Sequence, residues 1–548
     1  MSCLVSGLGC RHDRREAPTA ASATVLAVVP EPAGLLLRGA LRQPSAVYRE
    51  LQRTLGGRAR FLPNNLSVAI ATTFFDAPLS AGLIDDGSPM ALCVLRNDGG
   101  DTNTVAALRL TSGRELVAAV TTGSDARFTA RKDASGVTVL SRAAPDPRVA
   151  LGVFADRLLF SDSEASLLAA GPFLARSERA TNDGPELELV APRSSLQGPL
   201  AAALRAKIEA LRDAGLLAEA VARQRHGGRA PDFGDPSAVV AIVSSFAEGF
   251  VAALASGVEA RVTATLSAEL PVMRAELTPG STGSARELTD SLATGALDAL
   301  LTLPDWVQAG VFSRVSPAQG PDAGAQSANR LEAVLGDRLS PRDRARLRAW
   351  LSDVGVGIGD TRIAGVFDDA AFGVFALGTA GDAAALKRAT LSLPSVASAS
   401  AIAAPLRALV GRFDFVPAAS PSKDVAALGV RVSSKNGAAS RPSSVSAMTS
   451  SIDGRVVVLA AHDDPAQKMR DLLAPDGTRT LAHDASVVSA VARAGANANA
   501  AAFVRVQDGD GGANAIVLTF GSDRKVTWAE VGASKVAVGT LLRAWVGR

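Results

Sequence analysis

A cysteine near the start of the chain has the surroundings that most clearly indicate a chemistry. Cys10 follows the small residues of Ser6-Gly7-Leu8-Gly9 and precedes the charged run Arg11–Glu16. Small residues before an early cysteine are what a lipoprotein signal peptidase recognises, and the cysteine exposed by cleavage then receives acyl chains. The pattern predicts a mature protein that begins at a lipidated Cys10 and is attached to a membrane.

The leader departs from the usual signal in two ways. Met1 to Gly9 has no Lys or Arg before its apolar stretch, and Gly7 stands where such signals usually carry Leu. A start codon placed too far downstream would explain the missing basic residues, whereas a cytosolic protein with a chance cysteine is the alternative. We interpret residues 1–22 as a leader and tether, and expect the protein in the bacterial cell envelope, facing the periplasm or the cell exterior.

Imidazoles and carboxylates come together at one place in the sequence. His462-Asp463-Asp464 and His483-Asp484 are separated by a predicted helix and loop that could bring both ends together. Such side chains can bind a metal ion. The simpler interpretation, which we prefer, is that Asp463 or Asp464 caps a helix while both histidines lie at the surface, so no metal site is predicted.

Three further motifs do not meet the requirements of the sites they resemble. The glycines of Gly355–Gly359 precede a strand pattern at Arg362–Val366, whereas a dinucleotide loop must open a helix. Ser420–Lys423 has the Ser-x-x-Lys spacing of a penicillin-binding enzyme but contains a proline and lacks the following Lys-Thr-Gly. Asp508–Gly512 lacks the third acidic position of a calcium loop. We therefore predict no catalytic or cofactor-binding residues and no enzyme activity.

The composition indicates a large globular protein. The chain has 548 residues, of which 47% are hydrophobic and 20% charged, so it can bury large cores and exceeds the size of a single domain. Aromatic residues make up 4%, with one tyrosine, which disfavours stacking on bases and therefore nucleic-acid binding. Outside the leader the one cysteine is Cys93, within an apolar run, and we expect it to be a buried strand residue.

A hydrophobic strand followed by a capped helix recurs along the chain. The first copy is predicted to start its helix with a capping box of Ser161 and Glu164. The first two copies lie about 300 residues apart in the sequence, which indicates a duplication. The copies are Val153–Phe160 with helix Ala165–Leu174, Ile452–Leu459 with helix Ala466–Leu473, and Phe372–Leu377 with Asp382 capping Ala383–Leu391.

Other local patterns predict caps, a hairpin and a central helix. Capping boxes are predicted at Ser112 with Glu115 and at Ser284 with Glu287. Val258–Leu266 alternates strictly between apolar and polar residues, as a half-buried strand does, and Met273–Leu277 is its expected hairpin partner. Pro236–Gly257 carries two serines and a glutamate, and we expect a buried or amphipathic helix there.

These elements predict an α+β fold with two related domains. Antiparallel or mixed sheets packed by short helices are expected in each domain, and a long helical region is expected to join the domains. The predicted divisions are a leader and tether at 1–22, an N-terminal α+β domain at 23–190, a helical connector at 191–235, and a C-terminal α+β part at 236–548.

Four segments of the N-terminal part resemble those of uncharacterised bacterial envelope lipoproteins of a domain-of-unknown-function type. The segments are Gly87–Leu92, Gly113–Val117, Asp156–Leu159 and Ala170–Arg176. The resemblance covers mainly residues 23–180. It implies an exported, tethered α+β protein and supplies no catalytic residues.

The sequence leaves three functions open. We expect a non-enzymatic lipoprotein that is held at the membrane through Cys10 and binds another, unidentified envelope protein. A carrier of hydrophobic ligands in the envelope is the first alternative, and a metal- or serine-dependent hydrolase is the second. A pocket lined by apolar side chains would favour the carrier, whereas convergence of His462 and His483 would favour the hydrolase.

Overall fold

A computed structural model of the chain describes most of the sequence after residue 28. The described residues are 29–55, 62–97, 99–122, 126–142, 149–176, 183–225, 236–315, 325, 328–329, 331–332, 339–368, 372–398, 412–417, 426–433, 443–452, 455–461, 471–473, 479–507 and 513–539.

The described residues form 21 strands. In the first half these are β1 Leu35–Leu41, β2 Ile84–Asp85, β3 Met90–Arg96, β4 Thr102–Leu110, β5 Phe128–Lys132, β6 Thr138–Arg142, β7 Ala150–Phe154, β8 Arg157–Ser161, β9 Leu187–Pro192, β10 Gly257–Thr265 and β11 Val272–Pro279. In the second half they are β12 Val307–Arg314, β13 Ile358–Asp368, β14 Phe372–Ala380, β15 Arg412–Pro417, β16 Ala426–Ser433, β17 Ser443–Ile452, β18 Arg455–Ala461, β19 Ala498–Gln507, β20 Ala513–Ser522 and β21 Thr527–Ala533.

The principal helices lie between these strands. They are α1 Pro44–Leu55, α2 Leu66–Ile70, α3 Gly113–Thr121, α4 Glu164–Arg176, α5 Arg193–Gln197, α6 Pro199–Arg225, α7 Pro236–Ala255, α8 Ser284–Ser291, α9 Asp298–Leu301, α10 Pro341–Gly357, α11 Ala383–Ala397 and α12 Ala485–Ala494. Helix α2 continues into a π-helical turn at Ala71–Phe75, and 3-10 turns lie at Pro78–Leu83, Leu481–His483 and Gly495–Asn497.

Every pairing between the described strands is antiparallel, and the pairings form one linear series. The order across the sheet is β5-β6-β7-β8-β4-β3-β1-β9-β10-β11-β21-β20-β19-β12-β13-β14-β18-β17-β16-β15, and the short β2 also pairs with β4. Helices and a large antiparallel sheet together confirm the predicted α+β class.

The two halves of this series have the same strand order when each is followed from its outer end. We call the strands from β5 inward to β11 the N-terminal series, and those from β15 inward to β21 the C-terminal series. The two series meet where β11 pairs with β21. Helix α3 follows β4 in the first series as α11 follows β14 in the second, and each begins just after a side-chain N-cap, Ser112 and Asp382 respectively.

Around β4 the sheet of the N-terminal series is apolar on both faces. Along β4, Val105 and Ala107 point into a core closed by α4, whereas Leu108 and Leu110 point into a second core on the other face. Burial of both faces explains why these strands carry apolar runs in addition to the alternation typical of half-exposed strands. The second core is closed by α3 and by the segment from α2 to the π-helical turn.

The C-terminal series has its own core, formed where α9 and α12 pack against the sheet. Phe312, Phe503 and Trp528 are among its largest members, and each is at least 97% buried. Val487 and Val491 of α12 lie on the same face of that helix and contact this core. Leu472, in the second copy of the predicted strand-and-helix unit, is also buried there.

A cluster of charged residues lies at the junction of the two series. Arg274 of β11 is directly opposite Glu530 of β21, with 3.5 Å between Arg274 Nη1 and Glu530 Oε2. Arg493 of α12 donates from Nε to Glu530 Oε1 at 2.5 Å. The Arg274 guanidinium also lies 4.6 Å from the centre of the Trp528 ring. The nearly buried Glu530 carboxylate therefore joins both series through two arginines.

Several local predictions are confirmed. Ser112 Oγ accepts the Glu115 N–H at the start of α3, and Asp382 accepts the Ala384 N–H at the start of α11. The alternating segment predicted at Val258–Leu266 is β10, and its expected hairpin partner is β11. Cys93 is a fully buried residue of β3, as expected.

Two segments that were predicted as single strands each form two paired strands in the structure, so both predictions were wrong. Val153–Phe160 is divided between β7 and β8 by a turn in which Ala155 has φ +50°, and Ile452–Leu459 is divided between β17 and β18. Asp-Gly at residues 453–454 is a strong hairpin signal. In both segments polar residues mark the division between the two strands: Asp156-Arg157 in the first and Asp453-Gly454-Arg455 in the second.

Two predicted capping boxes were also wrong. At the start of α4, Ser163 Oγ accepts the Ser166 N–H, while Glu164 forms an ion pair with Arg131 and does not return to a serine. Helix α8 begins at Ser284 itself, and its Ala285 N–H is accepted by Ser256 Oγ at 2.7 Å. The cap of α8 comes from a residue that is distant in sequence, which a local pattern could not predict.

Across the part of the chain that the structure describes, no helix has the length and apolar character needed to cross a membrane.

Candidate functional site

An open groove on the N-terminal series is the candidate site. It lies on the sheet face that carries the second core, between the π-helical turn after α2 and strands β4, β6, β7 and β8. Two adjoining cavities of about 380 and 240 Å³ make up the groove, and Phe74, Val149 and Asp162 line both.

The π-helical turn determines how two consecutive phenylalanines are placed. Thr72 Oγ1 donates to the carbonyl of Val68 at 2.8 Å, and the turn ends at Asp76, which has φ +52°. Phe75 is buried and meets the edge of Phe128 at 5.8 Å between ring centres. Phe74, one residue earlier, remains half-exposed at the groove. π-Helical turns recur at functional sites because the extra residue redirects side chains.

The larger cavity is mainly apolar. Phe74 and Phe160 lie 5.3 Å apart between ring centres. Side chains from α2 and from strands β3 and β4 complete its apolar lining: Ile70, Met90 and Ala106. A surface of this kind releases water when an apolar side chain binds, which contributes about 25 cal/mol for each Å² covered.

Charged side chains lie along the rim. Asp162 lines both cavities, and its Oδ2 accepts the Thr104 N–H at 3.3 Å, so the carboxylate is held at the end of β8. Glu164 lines the smaller cavity and pairs with Arg131. Arg142 lies over the Phe128 ring at 5.5 Å from its centre. An apolar surface with a carboxylate at its edge suits an apolar ligand that carries a basic group.

The predicted imidazole cluster is only partly described. His462 with Asp463 and Asp464 lies outside the described residues. His483 is exposed, and its Nδ1 lies 3.2 Å from the carbonyl of Thr480. Asp484 caps α12 by accepting the Ser486 N–H at 3.0 Å. Among described residues no group of three or more His, Cys, Asp or Glu side chains is placed to hold a metal ion.

The glycine-rich run lies between a helix and a strand. The glycine run Gly355–Gly359 ends α10 and begins β13, so it closes a helix and cannot present helix N-terminal amides to a phosphate. Ser420–Lys423, Asp508–Gly512 and the predicted lipidation residue Cys10 lie outside the described residues.

Sequence reasoning missed the groove. Its residues come from positions 70 to 164 and from six strands, the π-helical turn and helices α2 and α4, so no single motif contains them. One local signal was present: two large apolar residues in succession, Phe74-Phe75, directly precede Asp76.

No protein-family model, curated protein or solved structure matches this chain. The groove and its geometry are therefore the basis for the functional proposal.

Proposed function

We propose that this protein is a non-enzymatic, membrane-tethered binding module of the bacterial cell envelope. Its groove is proposed to bind an apolar segment of another envelope protein that carries a basic residue. The observation that carries this proposal is the junction of the two cavities, where Phe74 and Val149 provide an apolar surface beside the Asp162 carboxylate.

The open form of the groove favours a protein segment over an enclosed small ligand. Pockets that carry small molecules typically cover more than about 70% of the ligand surface. Here the two cavities are shallow and adjoin side by side, which suits side chains that enter from a longer partner backbone. A hydrophobic-ligand carrier remains the second candidate, because Ile70, Phe74 and Phe160 would also contact an acyl chain.

Binding without catalysis is supported by the groove's lining. Serine and threonine hydroxyls occur there, but no histidine, lysine or cysteine lines either cavity to activate them. Asp162, the carboxylate common to both cavities, is engaged with the Thr104 backbone amide. The hydrolase alternative has no comparable arrangement among the described residues.

The membrane tether is proposed from the sequence. Cleavage before Cys10 would leave a charged and then Ala/Ser/Thr-rich stretch before Val29, the first described residue. Intact mass and membrane fractionation of the native protein beside a Cys10→Ser variant test this. A native protein that begins at Cys10, carries acyl mass and becomes soluble on substitution supports the tether. An unprocessed, soluble native protein contradicts it.

We also propose that the two strand series are related domains produced by duplication. The support is their shared strand order and the matching N-caps Ser112 and Asp382. Arg274 and Glu530 pair where the two series meet. Successive strand pairings lead outward from Arg274 to Ala107 on β4 and from Glu530 to Leu377 on β14. Ala107 precedes the N-cap Ser112 by the same number of residues as Leu377 precedes the N-cap Asp382. The residues in these pairings are Arg274, Thr263, Glu188, Ala40, Ala91 and Ala107 on one side, and Glu530, Thr519, Ala501, Phe312, Ile363 and Leu377 on the other. In this arrangement α6 and α7 are an insertion between β9 and β10 of the first domain.

Site-specific photo-crosslinking in native cells tests the groove. A benzoylphenylalanine at Thr73, which is exposed and lines the smaller cavity, is compared with one at Val504, an exposed residue of β19. We expect a protein adduct specific to Thr73, mapped by mass spectrometry to an apolar segment with a Lys or Arg. Asp162→Asn should reduce its yield several-fold, because it removes the charge that attracts the basic residue.

The possible products separate the candidates. A lipid adduct at Thr73 would replace the proposal with the carrier. Equal adducts at Thr73 and Val504, or a Thr73 adduct that Asp162→Asn leaves unchanged, would contradict recognition by this groove.

A further inference from the structure

Helices α6 and α7 form an antiparallel pair that extends from the body of the protein. The 27 residues of α6 give it a length of about 40 Å at 1.5 Å per residue. The inner end of the pair is anchored, because Ala201, Val251 and Ala253 are buried, and Ala253 lies in a core cluster with Leu196 of α5 and Leu277 of β11. Beyond this anchor α6 packs mainly against α7.

The outer part of α6 exposes large apolar side chains. Leu211 and Leu217 are 73% and 66% exposed, and Leu216 and Val221 are also exposed. These residues recur on more than one side of the helix, so contact with α7 alone cannot cover them all. Several exposed large apolar side chains on one segment indicate an interaction site.

Helix α7 has an unusual composition over the same length. From Pro236 to Ala247 its sequence contains no charged residue, and Glu248 is the first. On the inner side of Glu248, Phe250 is 60% exposed. A helix that is uncharged on every face is suited to burial on every face, either in a large core or in lipid. A single partner helix covers one face only.

Charge on α6 indicates which apolar environment is involved. That helix carries five basic and three acidic residues, and the described basic residues Arg205, Lys207 and Arg212 are exposed. Helices with an apolar side and an excess of basic residues bind at the interface of bilayers that contain anionic lipid.

We infer that the α6–α7 pair docks on an anionic membrane surface, with the exposed leucines of α6 and Phe250 of α7 in the interface and the basic residues of α6 near the headgroups. A second copy of the chain fits less well, because the exposed apolar residues lie on more than one side of α6 and pairing with a second hairpin would cover only one of those sides. The inference goes beyond the proposed function, since it adds a membrane contact that is independent of Cys10. Stable anchoring generally requires two such signals.

Vesicle flotation with the full chain carrying Cys10→Ser tests the inference without the predicted lipid. The vesicles contain equimolar phosphatidylglycerol and phosphatidylcholine. The test variant adds Leu211→Gln and Leu217→Gln, which keep helix propensity while removing apolar surface. Leu391→Gln on α11, at a leucine that is 52% exposed, is the matched control.

We expect the Cys10→Ser protein to float with the vesicles and the double leucine variant to bind at least about tenfold more weakly, since burial of one leucine contributes about 1.5 kcal/mol or more. The control should bind like the parent, and vesicles of phosphatidylcholine alone should bind more weakly than the mixture.

Two results would overturn the inference. One is no flotation, or flotation that the leucine variant does not reduce, while circular dichroism shows both proteins folded. The other is a dimer in analytical ultracentrifugation that the leucine variant dissociates, which would assign the surface to a second copy. Crosslinking at Thr73 does not depend on this surface, so either failure leaves the groove proposal intact.

Discussion

Replacement of Glu530 by glutamine tests how the two strand series are held together. Glu530 is 4% exposed, and its carboxylate contacts Arg274 across the β11–β21 pairing and Arg493 on α12. Glu530→Gln keeps the shape of the side chain and removes its charge. Arg274 and Arg493 would then lose the negative charge that balances their positive charges at the junction.

The expected loss of stability follows from burial. Removing one partner of a fully buried ion pair costs about 3–5 kcal/mol. The side chains of Arg274 and Arg493 are 30% and 29% exposed, so water can solvate part of their charge. We therefore expect a loss of about 2 kcal/mol, which corresponds to roughly a thirtyfold increase in the local opening equilibrium.

Hydrogen exchange followed by mass spectrometry measures this locally, which suits a chain too large for a single unfolding transition. Peptides from β11 and β21 should exchange roughly thirtyfold faster in Glu530→Gln, whereas peptides from β3 and β4 should not change. Glu276→Gln is the matched control, because Glu276 accepts from Arg274 Nε at 2.8 Å but is about one third exposed. Its effect should stay below about 1 kcal/mol.

The reasoning is refuted if Glu530→Gln leaves exchange in β11 and β21 unchanged, or if Glu276→Gln has an equal effect. Replacing both Arg493 and Glu530 by methionine provides a further check. The double variant should be more stable than Glu530→Gln, because the partly buried Arg493 charge is then removed together with its partner.

Three other predictions follow from local geometry. Ala155→Gly should stabilise the β7–β8 hairpin locally by about 0.5 kcal/mol, seen as slower hydrogen exchange in peptides from β7 and β8, because Ala155 has a left-handed backbone that glycine adopts without strain; faster exchange would contradict this. Ser112→Ala and Asp382→Ala should each lower local stability by about 1 kcal/mol and increase hydrogen exchange only in the first turn of the helix that the residue caps, α3 or α11 respectively. Increased exchange in both helices after either substitution would contradict the prediction that the two caps act independently. The hydrogen bond from the Ser135 N–H holds the pKa of Asp133 below its usual value, so this carboxylate stabilises the β5–β6 turn above its unfolded pKa, and the effect is lost as pH falls through the lower folded pKa. An NMR titration of the Asp133 carboxyl with an ordinary midpoint would contradict that assignment.

Local features were predictable where local interactions determine them. The caps at Ser112 and Asp382 depend on a side chain and an amide two or three residues away, and both were predicted from spacing. The β10–β11 hairpin was also predictable, because its alternation reflects one apolar and one polar face. The helix start at α8 was not, because Ser256 supplies the cap from the end of α7.

The groove required tertiary structure. Phe74 comes from a π-helical turn, which has no distinctive sequence pattern, and Phe160 comes from the second strand of a hairpin that was predicted as one continuous strand. The sheet places these rings 5.3 Å apart. Pairing between distant strands is set by packing of the whole fold, so a single sequence gives little indication of which apolar residues will share a cavity.

The two end strands of the sheet influence whether this protein aggregates at high concentration. Among described residues, β5 pairs only with β6 and β15 only with β16, so one side of each strand pairs with no described strand. Such strands can recruit another molecule and start a fibre. Here β5 is five residues long and carries Arg131 and Lys132, while β15 is six residues long and ends at Pro417, which has no amide hydrogen. Short, charged or proline-terminated ends oppose intermolecular β-pairing, and they allow a twenty-strand series to terminate without becoming a template for aggregation.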